Sequence, residues 1–417
     1  MLPSYVPDYS NFVPGQTPVL YSGPHWDEKE IEAATKALTT GKWLTSGEYV
    51  ARFQNEFSRM FGVKYSHMVN SGSSANLVMI AALKERMGWA DIDEVLVSPV
   101  GFPTTVAPLV QNGLKPVFVD IEMRTLNFDL SLMREKITPR TRAIFVSPVL
   151  GNPPDMDELV TIAGQHGLHL IGDNCDSLGS KWDSFHISED YLAWSSSFYP
   201  AHHITVGQGG MVSSNDKELI DLVRSFSTWG RDCYCVGAAN LLACGTCGKR
   251  FSNWLNTDAV IDHKYVFTQL GYNLAPALDM QGAIGLEQLK KFPEIDRKRK
   301  EHYAVIASFF SGDKVRVADR HLQADPCPFG VPIICDSMAT KNSLVSYLEL
   351  NKIQTRQYFA GNLLRHPAYS HLDDASKYPN ADRALNEVFF LGVYPGYSQA
   401  VLEYIGGVVN KWKNSPS

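Results

Sequence analysis

The feature that most constrains this chain is a regular alternation, from about residue 30 onward, of helical apolar spacing with short β-rich runs. Residues 30–38 and 50–61 carry helical spacing, and 77–84 continue a helix that opens near Ser73. Short β-rich runs follow at 94–99, 116–120, 143–148 and 168–173, with helical stretches such as 130–135 and 156–166 between them. Such alternation predicts an α/β fold, a mostly parallel sheet covered by helices on both faces. Ligands of such sheets bind beyond the carboxyl ends of the strands, so the chemistry is sought just after the apolar runs. From about 285 the pattern changes to a long charged helix (285–310), a short strand near 331–334, and helices at 337–351 and 399–413. The expected organisation is a proline-rich N-terminal arm (1–28), a large domain (29–285) and a smaller C-terminal α+β domain (286–417).

Charge and hydropathy narrow the function. A net charge of −6 gives no basic face for nucleic acid. No apolar run approaches a membrane span, and the start lacks the basic and apolar stretches of a signal peptide. A soluble cytoplasmic protein is expected. The seven cysteines are unevenly placed. Cys233, Cys235, Cys244 and Cys247 crowd into one segment (231–251), with Cys175 upstream and Cys327 and Cys335 near the end. A local cluster in a long chain reads as a metal site rather than a disulfide scaffold.

Four motifs point to chemistry. Asn70-Ser71-Gly72-Ser73-Ser74-Ala75-Asn76 places small residues and hydroxyls before an apolar helix. This is either a phosphate cradle or an ordinary N-cap. In Leu170-Ile171-Gly172-Asp173-Asn174-Cys175-Asp176 an apolar strand runs into an acid. A carboxylate there could keep a pyridine nitrogen protonated, although strand-end acids are common. Gly101-Phe102-Pro103-Thr104-Thr105 offers an aromatic ring that is either stacked on a cofactor or part of the core. Residues 195–205 bring hydroxyls, then His202 and His203, ahead of Gly207-Gln208-Gly209-Gly210, which suggests a second phosphate contact beside a proton-transfer group.

Taken in order, these motifs resemble the fold-type I sugar aminotransferase and dehydratase family (DegT/DnrJ/EryC/StrS type), from about residue 25 to about 412. The likeness includes Leu150-Gly151-Asn152, Thr246-Cys247-Gly248-Lys249-Arg250-Phe251, Leu270-Gly271-Tyr272-Asn273 and Phe359-Ala360-Gly361-Asn362-Leu363. It implies a large domain with a mixed, mostly parallel sheet and a small C-terminal domain. In the family's aminotransferases a Schiff-base lysine occupies the position of His202. Histidine there resembles the branch that dehydrates 4-keto-6-deoxy nucleotide sugars at C3 with non-covalent pyridoxamine phosphate.

By that resemblance, Gly72, Ser73, Ser197 and the backbone of Ser74 hold the cofactor phosphate. Asp173 pairs with the pyridine nitrogen, with Asp176 near it, and Phe102 stacks on the ring. Asn273 reaches the phosphate of a neighbouring subunit, which implies a homodimer. His202 is the base that moves a proton at the cofactor carbon while the C3 hydroxyl leaves. The same branch carries a [2Fe-2S] cluster, here implied on Cys175, Cys233, Cys235 and a fourth cysteine. Flanking residues favour Cys247 as the fourth ligand, and spacing favours Cys244. Electrons would come from a separate NADH-dependent flavin/iron–sulfur reductase, or a ferredoxin or flavodoxin system.

Arg356, Asn362 and Arg365 fall in a segment that lines the sugar site in relatives. Three departures from the family pattern stand out: the cysteine loop is longer, Gln208 replaces the usual glutamate, and residues 184–194 lack the usual glycine-rich turn. Three rival readings are a cluster-free C3 dehydratase of the colitose type drawing its amine from glutamate, an ordinary sugar aminotransferase, and a non-catalytic relative with a zinc-stabilised loop. The cysteines argue against the first, the missing lysine against the second, and the intact Asp173, Ser197 and His202 against the third.

Overall fold

The computed structural model describes residues 3–233, 247–276 and 278–414. Its centre is a seven-stranded sheet. The spatial order is Tyr65–Val69, Gly210–Ser214, Ala193–Ser197, His169–Asp173, Thr141–Val146, Glu94–Val97 and Lys115–Phe118. Gly210–Ser214 runs antiparallel to both neighbours, and the remaining paired strands are parallel. The central strands are buried along almost their whole length, with His169 partly exposed, as expected for a sheet covered on both faces. One core layer joins the helices Gly72–Met87 and Lys217–Ser227 to the sheet. The opposite layer is built around Phe53, Phe57, Trp194 and Phe198.

A second, antiparallel sheet orders Val315–Val317, Gly330–Cys335, Val388–Gly392 and Thr355–Gln357. The helices Met338–Leu350 and Gln399–Lys413 share a core with it. The N-terminal arm lies on this part: Val19 bridges Ile353, and the Tyr397 hydroxyl donates to the Leu20 carbonyl at 2.6 Å. The long helix Met280–Ser308 packs on both Glu48–Met60 and Gln399–Lys413. The sequence-based boundary at 285/286 therefore falls inside one continuous helix. Among the described residues, no helix is long and apolar enough to cross a membrane.

Candidate active site

A cavity of about 1030 Å³ opens at the carboxyl ends of the central strands. Ser71, Gly72, Ser73, Phe102, Asp173, Cys175, Asp176, Ser197 and His202 line it from the large sheet, and Phe329, Arg356, Tyr358 and Phe359 line it from the smaller one. Two backbone contacts bring the second set over the first: Leu363 N donates to Pro99 O at 2.9 Å, and Ala360 N to Gly101 O at 3.3 Å.

The loop after the first strand enters the helix Gly72–Met87 through Ser71, whose Oγ accepts from Ser74 N at 3.0 Å. That bond uses the Ser74 amide expected at the phosphate, and Ser74 is not part of the cavity wall. The amides of Gly72 and Ser73, which have no intrahelical acceptor at a helix start, lie at the cavity instead. A side chain at Gly72 would come within 2.5 Å of Ser197 Cβ and 2.9 Å of Cys175 Sγ, so only glycine leaves this cradle open.

Asp173 ends its strand and is 5% exposed. Its Oδ2 accepts from Thr105 Oγ1 at 2.7 Å and Asn76 Nδ2 at 2.8 Å, and its Oδ1 from Cys175 N at 3.3 Å. Asn76 is itself held by Ser195 Oγ at 2.6 Å. Asn76, Thr105 and Ser195 were not singled out from the sequence. Their role becomes visible only when three separate segments meet at one carboxylate.

His202 sits in the turn after Ser197, with its Nδ1 3.6 Å from Asp176 Oδ1. Burial first, and then the Arg299 charge, lower its imidazole to about 3. Burial raises Asp176 well above the usual carboxylate range, with the Asp173 charge adding to it. Both members of the pair are thus pushed toward neutrality. His202 Nδ1 and the Tyr358 hydroxyl are buried without a hydrogen-bond partner. Phe102 is 53% exposed at the mouth.

Other expected residues lie elsewhere. Asn273 is exposed and outside the cavity wall, bridged to Thr228. Arg356 lines the cavity and stacks on Tyr21 at 4.1 Å. Asn362 and Arg365 do not line it. Both bind the Asp382 carboxylate, with Asn362 Nδ2 and Arg365 Nε each 2.9 Å from Oδ1, so they brace the small domain.

The cysteines divide. Cys175 faces the cavity, with burial and the Asp173 charge raising its thiol well above the usual range. Cys233 is buried and Cys247 exposed, while Cys235 and Cys244 lie outside the described residues. Both flanks of this segment meet the turn His263–Tyr265. His263 Nε2 lies 2.5 Å from Asp232 Oδ2, and His263 N donates to Arg250 O at 2.9 Å. Among the described residues, no three His, Cys, Asp or Glu side chains gather as a metal site.

Residues 24–410 match the model of the DegT/DnrJ/EryC1/StrS aminotransferase family. The chain belongs to this family. It is 39% identical to the dTDP-4-dehydro-2,6-dideoxy-D-glucose 3-dehydratase of Saccharopolyspora spinosa, an alignment covering 94% of this chain and 86% of that protein. It is 37% identical to the lipopolysaccharide biosynthesis protein RfbH of Salmonella typhimurium, covering 94% and 91% of the two chains. Among solved structures, it superposes on a GDP-4-keto-6-deoxymannose-3-dehydratase with a trapped PLP–glutamate geminal diamine. There the TM-score is 0.82 and the identity 30%, with 94% of this chain and 100% of that one covered. The fold is therefore the α/β fold of PLP-dependent aminotransferase-type enzymes.

Proposed function

We propose that this family member removes the C3 hydroxyl of a nucleotide-linked 4-keto-6-deoxyhexose, using pyridoxamine phosphate held without a covalent bond. The observation that carries this reading is His202, partly buried at the strand-end cavity where the family's aminotransferases place a lysine. The cavity suits such a cofactor in three respects. Gly72 leaves a cradle beside Ser197, Asp173 presents a fixed carboxylate, and His202 Nδ1 and the Tyr358 hydroxyl are unpartnered.

Ser73, Ser197 and the helix N-terminus at Gly72 would hold the phosphate. Asp173 would hold the pyridine nitrogen protonated, and Phe102 would cover the ring. The cofactor supplies an amine for the C4 ketone and a conjugated path for electrons. His202 cannot form the lysine-type link to the cofactor. Neutral at physiological pH, it can take a proton from the carbon beside the ring, with its Nδ1 3.6 Å from Asp176. Asn273, exposed and away from its own chain's cavity, is proposed to serve the cavity of a second copy in a homodimer.

His202→Asn is expected to keep pyridoxamine phosphate binding and abolish C3–O cleavage, followed by mass spectrometry with CDP-, dTDP- and GDP-linked 4-keto-6-deoxy sugars. Retained cleavage would sink the assignment.

Two electron sources are compatible with this step. The solved relative with trapped PLP–glutamate favours glutamate as amine donor, with no cluster. The cysteine set favours a [2Fe-2S] cluster on Cys175, Cys233, Cys235 and Cys247, fed by a separate NADH-dependent reductase. Iron and sulfide analysis of anaerobically reconstituted protein separates them. About two irons and two sulfides per chain, with visible bands that dithionite bleaches, mean the cluster. Their absence, together with glutamate-dependent turnover, means the colitose-type reaction.

A further inference from the structure

Arg299 lies in the long helix Met280–Ser308 and is 2% exposed, yet no carboxylate lies within ion-pair distance of it among the described residues. Its guanidinium donates instead to four backbone carbonyls. Nη2 reaches Ala201 O at 3.2 Å and His202 O at 3.1 Å. Nη1 reaches Pro328 O at 3.3 Å and Phe329 O at 3.4 Å, while Nε has no partner. The Phe329 ring in turn lies 5.0 Å from the His202 imidazole. One buried cation thus grips the main chain of the base and the segment whose aromatic ring packs against that base.

We propose that Arg299 is a positioning residue for His202, fixing the carbonyl of the base and the Phe329 segment that packs against its ring. Burying a guanidinium against neutral partners is unfavourable, so a purely structural post would be better filled by an apolar side chain. The electrostatics agree with the geometry. The Arg299 charge lowers His202 and the adjacent His203, and draws Asp176 down against its burial. The other titratable groups facing Arg299 are Cys327 on the crossing segment, Tyr394 and Tyr397 before the last helix, His302 on its own helix and His25 on the arm. These groups are uncharged in their ordinary forms near neutral pH, so the guanidinium is met chiefly by the four neutral carbonyls.

This inference rests on the proton-transfer reading of His202, so its test uses one readout that does not need turnover. Arg299→Met removes the charge and the grip, and Arg299→Lys keeps the charge but cannot span four carbonyls. Histidine NMR of the cofactor-loaded protein at one fixed pH, with the His202 ring signal assigned by its loss in His202→Asn, is expected to show that signal displaced and broadened in Arg299→Met, because the Phe329 ring 5.0 Å away is no longer held against it. Arg299→Lys is expected to lower kcat by about tenfold or more at unchanged KM. An unmoved His202 ring signal in folded Arg299→Met overturns the proposal. If Arg299→Met does not fold, full kcat in Arg299→Lys overturns it. Should the dehydratase reading itself be wrong, turnover is absent in the wild type while the ring signal still reports on Arg299.

Discussion

At the scale of single residues, the cavity is organised around one carboxylate. Asp173 is readable from sequence because an apolar run ends on it. Asn76 and Thr105 are not, since they sit 97 and 68 residues away and meet it only through tertiary packing. Each donates to a charged acceptor, where a hydrogen bond contributes about 1.5–3 kcal/mol. Thr105→Val is therefore expected to weaken pyridoxamine phosphate binding roughly tenfold or more, with Thr105→Ser close to wild type, measured by absorbance titration. Unchanged affinity in Thr105→Val would show that Asp173 does not need this donor. His202 was legible for a different reason: it breaks an expected lysine pattern, a signal that needs no structure. Arg299 left no signal, because an arginine in a charged helix looks solvated until its burial is known.

Among elements, the long helix shows where sequence reading stopped. Its start was expected at 285, but it begins at Met280. The acid before it, Asp279, makes no side-chain cap to its own helix. Its carboxylate instead accepts from Gly47 N at 2.8 Å, Tyr49 N at 3.2 Å and Val50 N at 2.9 Å, capping the helix Glu48–Met60. A capping residue lent to a neighbouring helix erases the local start signal. The strand ending at Asp173 and the helix Met156–His166 were found where expected, since each carries its own period and its own stop. Asp279→Ala strips three amides, two of them buried, of their acceptor and should cost about 3 kcal/mol. A fall in Tm of several degrees is expected, with a smaller one for Asp279→Asn, and calorimetry of the apoprotein checks it. Equal Tm values would deny Asp279 its capping role.

For the whole molecule, buried histidines tie stability to pH. Burial lowers His25 to about 4, His67 to about 3 and His202 to about 3, and takes His203 well below its ordinary value. The unfolded chain, with histidines near 6.5, binds more protons in this range. Their stabilising contribution is thus complete above about pH 6.5 and lost as pH falls toward 4, each by up to about 1.4 kcal/mol per pH unit. Asp120, Asp176 and Asp190, raised by burial, work in the opposite direction, but His169, His186 and His302 are lowered as well, so the histidines outnumber them. Urea midpoints of the apoprotein should drop from pH 7.5 to pH 5.5, and a flat or rising midpoint would contradict this account. The proposed dimer has its own test. If Asn273 serves the partner's cavity, mixing inactive His202→Asn chains with inactive Asn273→Asp chains should restore up to about a quarter of wild-type turnover in hybrids. No recovery would place Asn273 with its own cavity or outside the site.

The single reversed strand of the large sheet has a further consequence, for biosynthesis. Tyr65 pairs with Ser214, so the strand Tyr65–Val69 finds its one sheet neighbour among the described residues 149 positions later. While the ribosome is still adding residues 70–209, that segment has an unmatched edge, and the helix at Gly72 has no Ser197 beside it. Nascent chains arrested before residue 210 should therefore be protease-sensitive and chaperone-bound, and the released full-length chain should not be. The Gly72–Ser197 cradle proposed for the phosphate is among the last features of the large sheet to close.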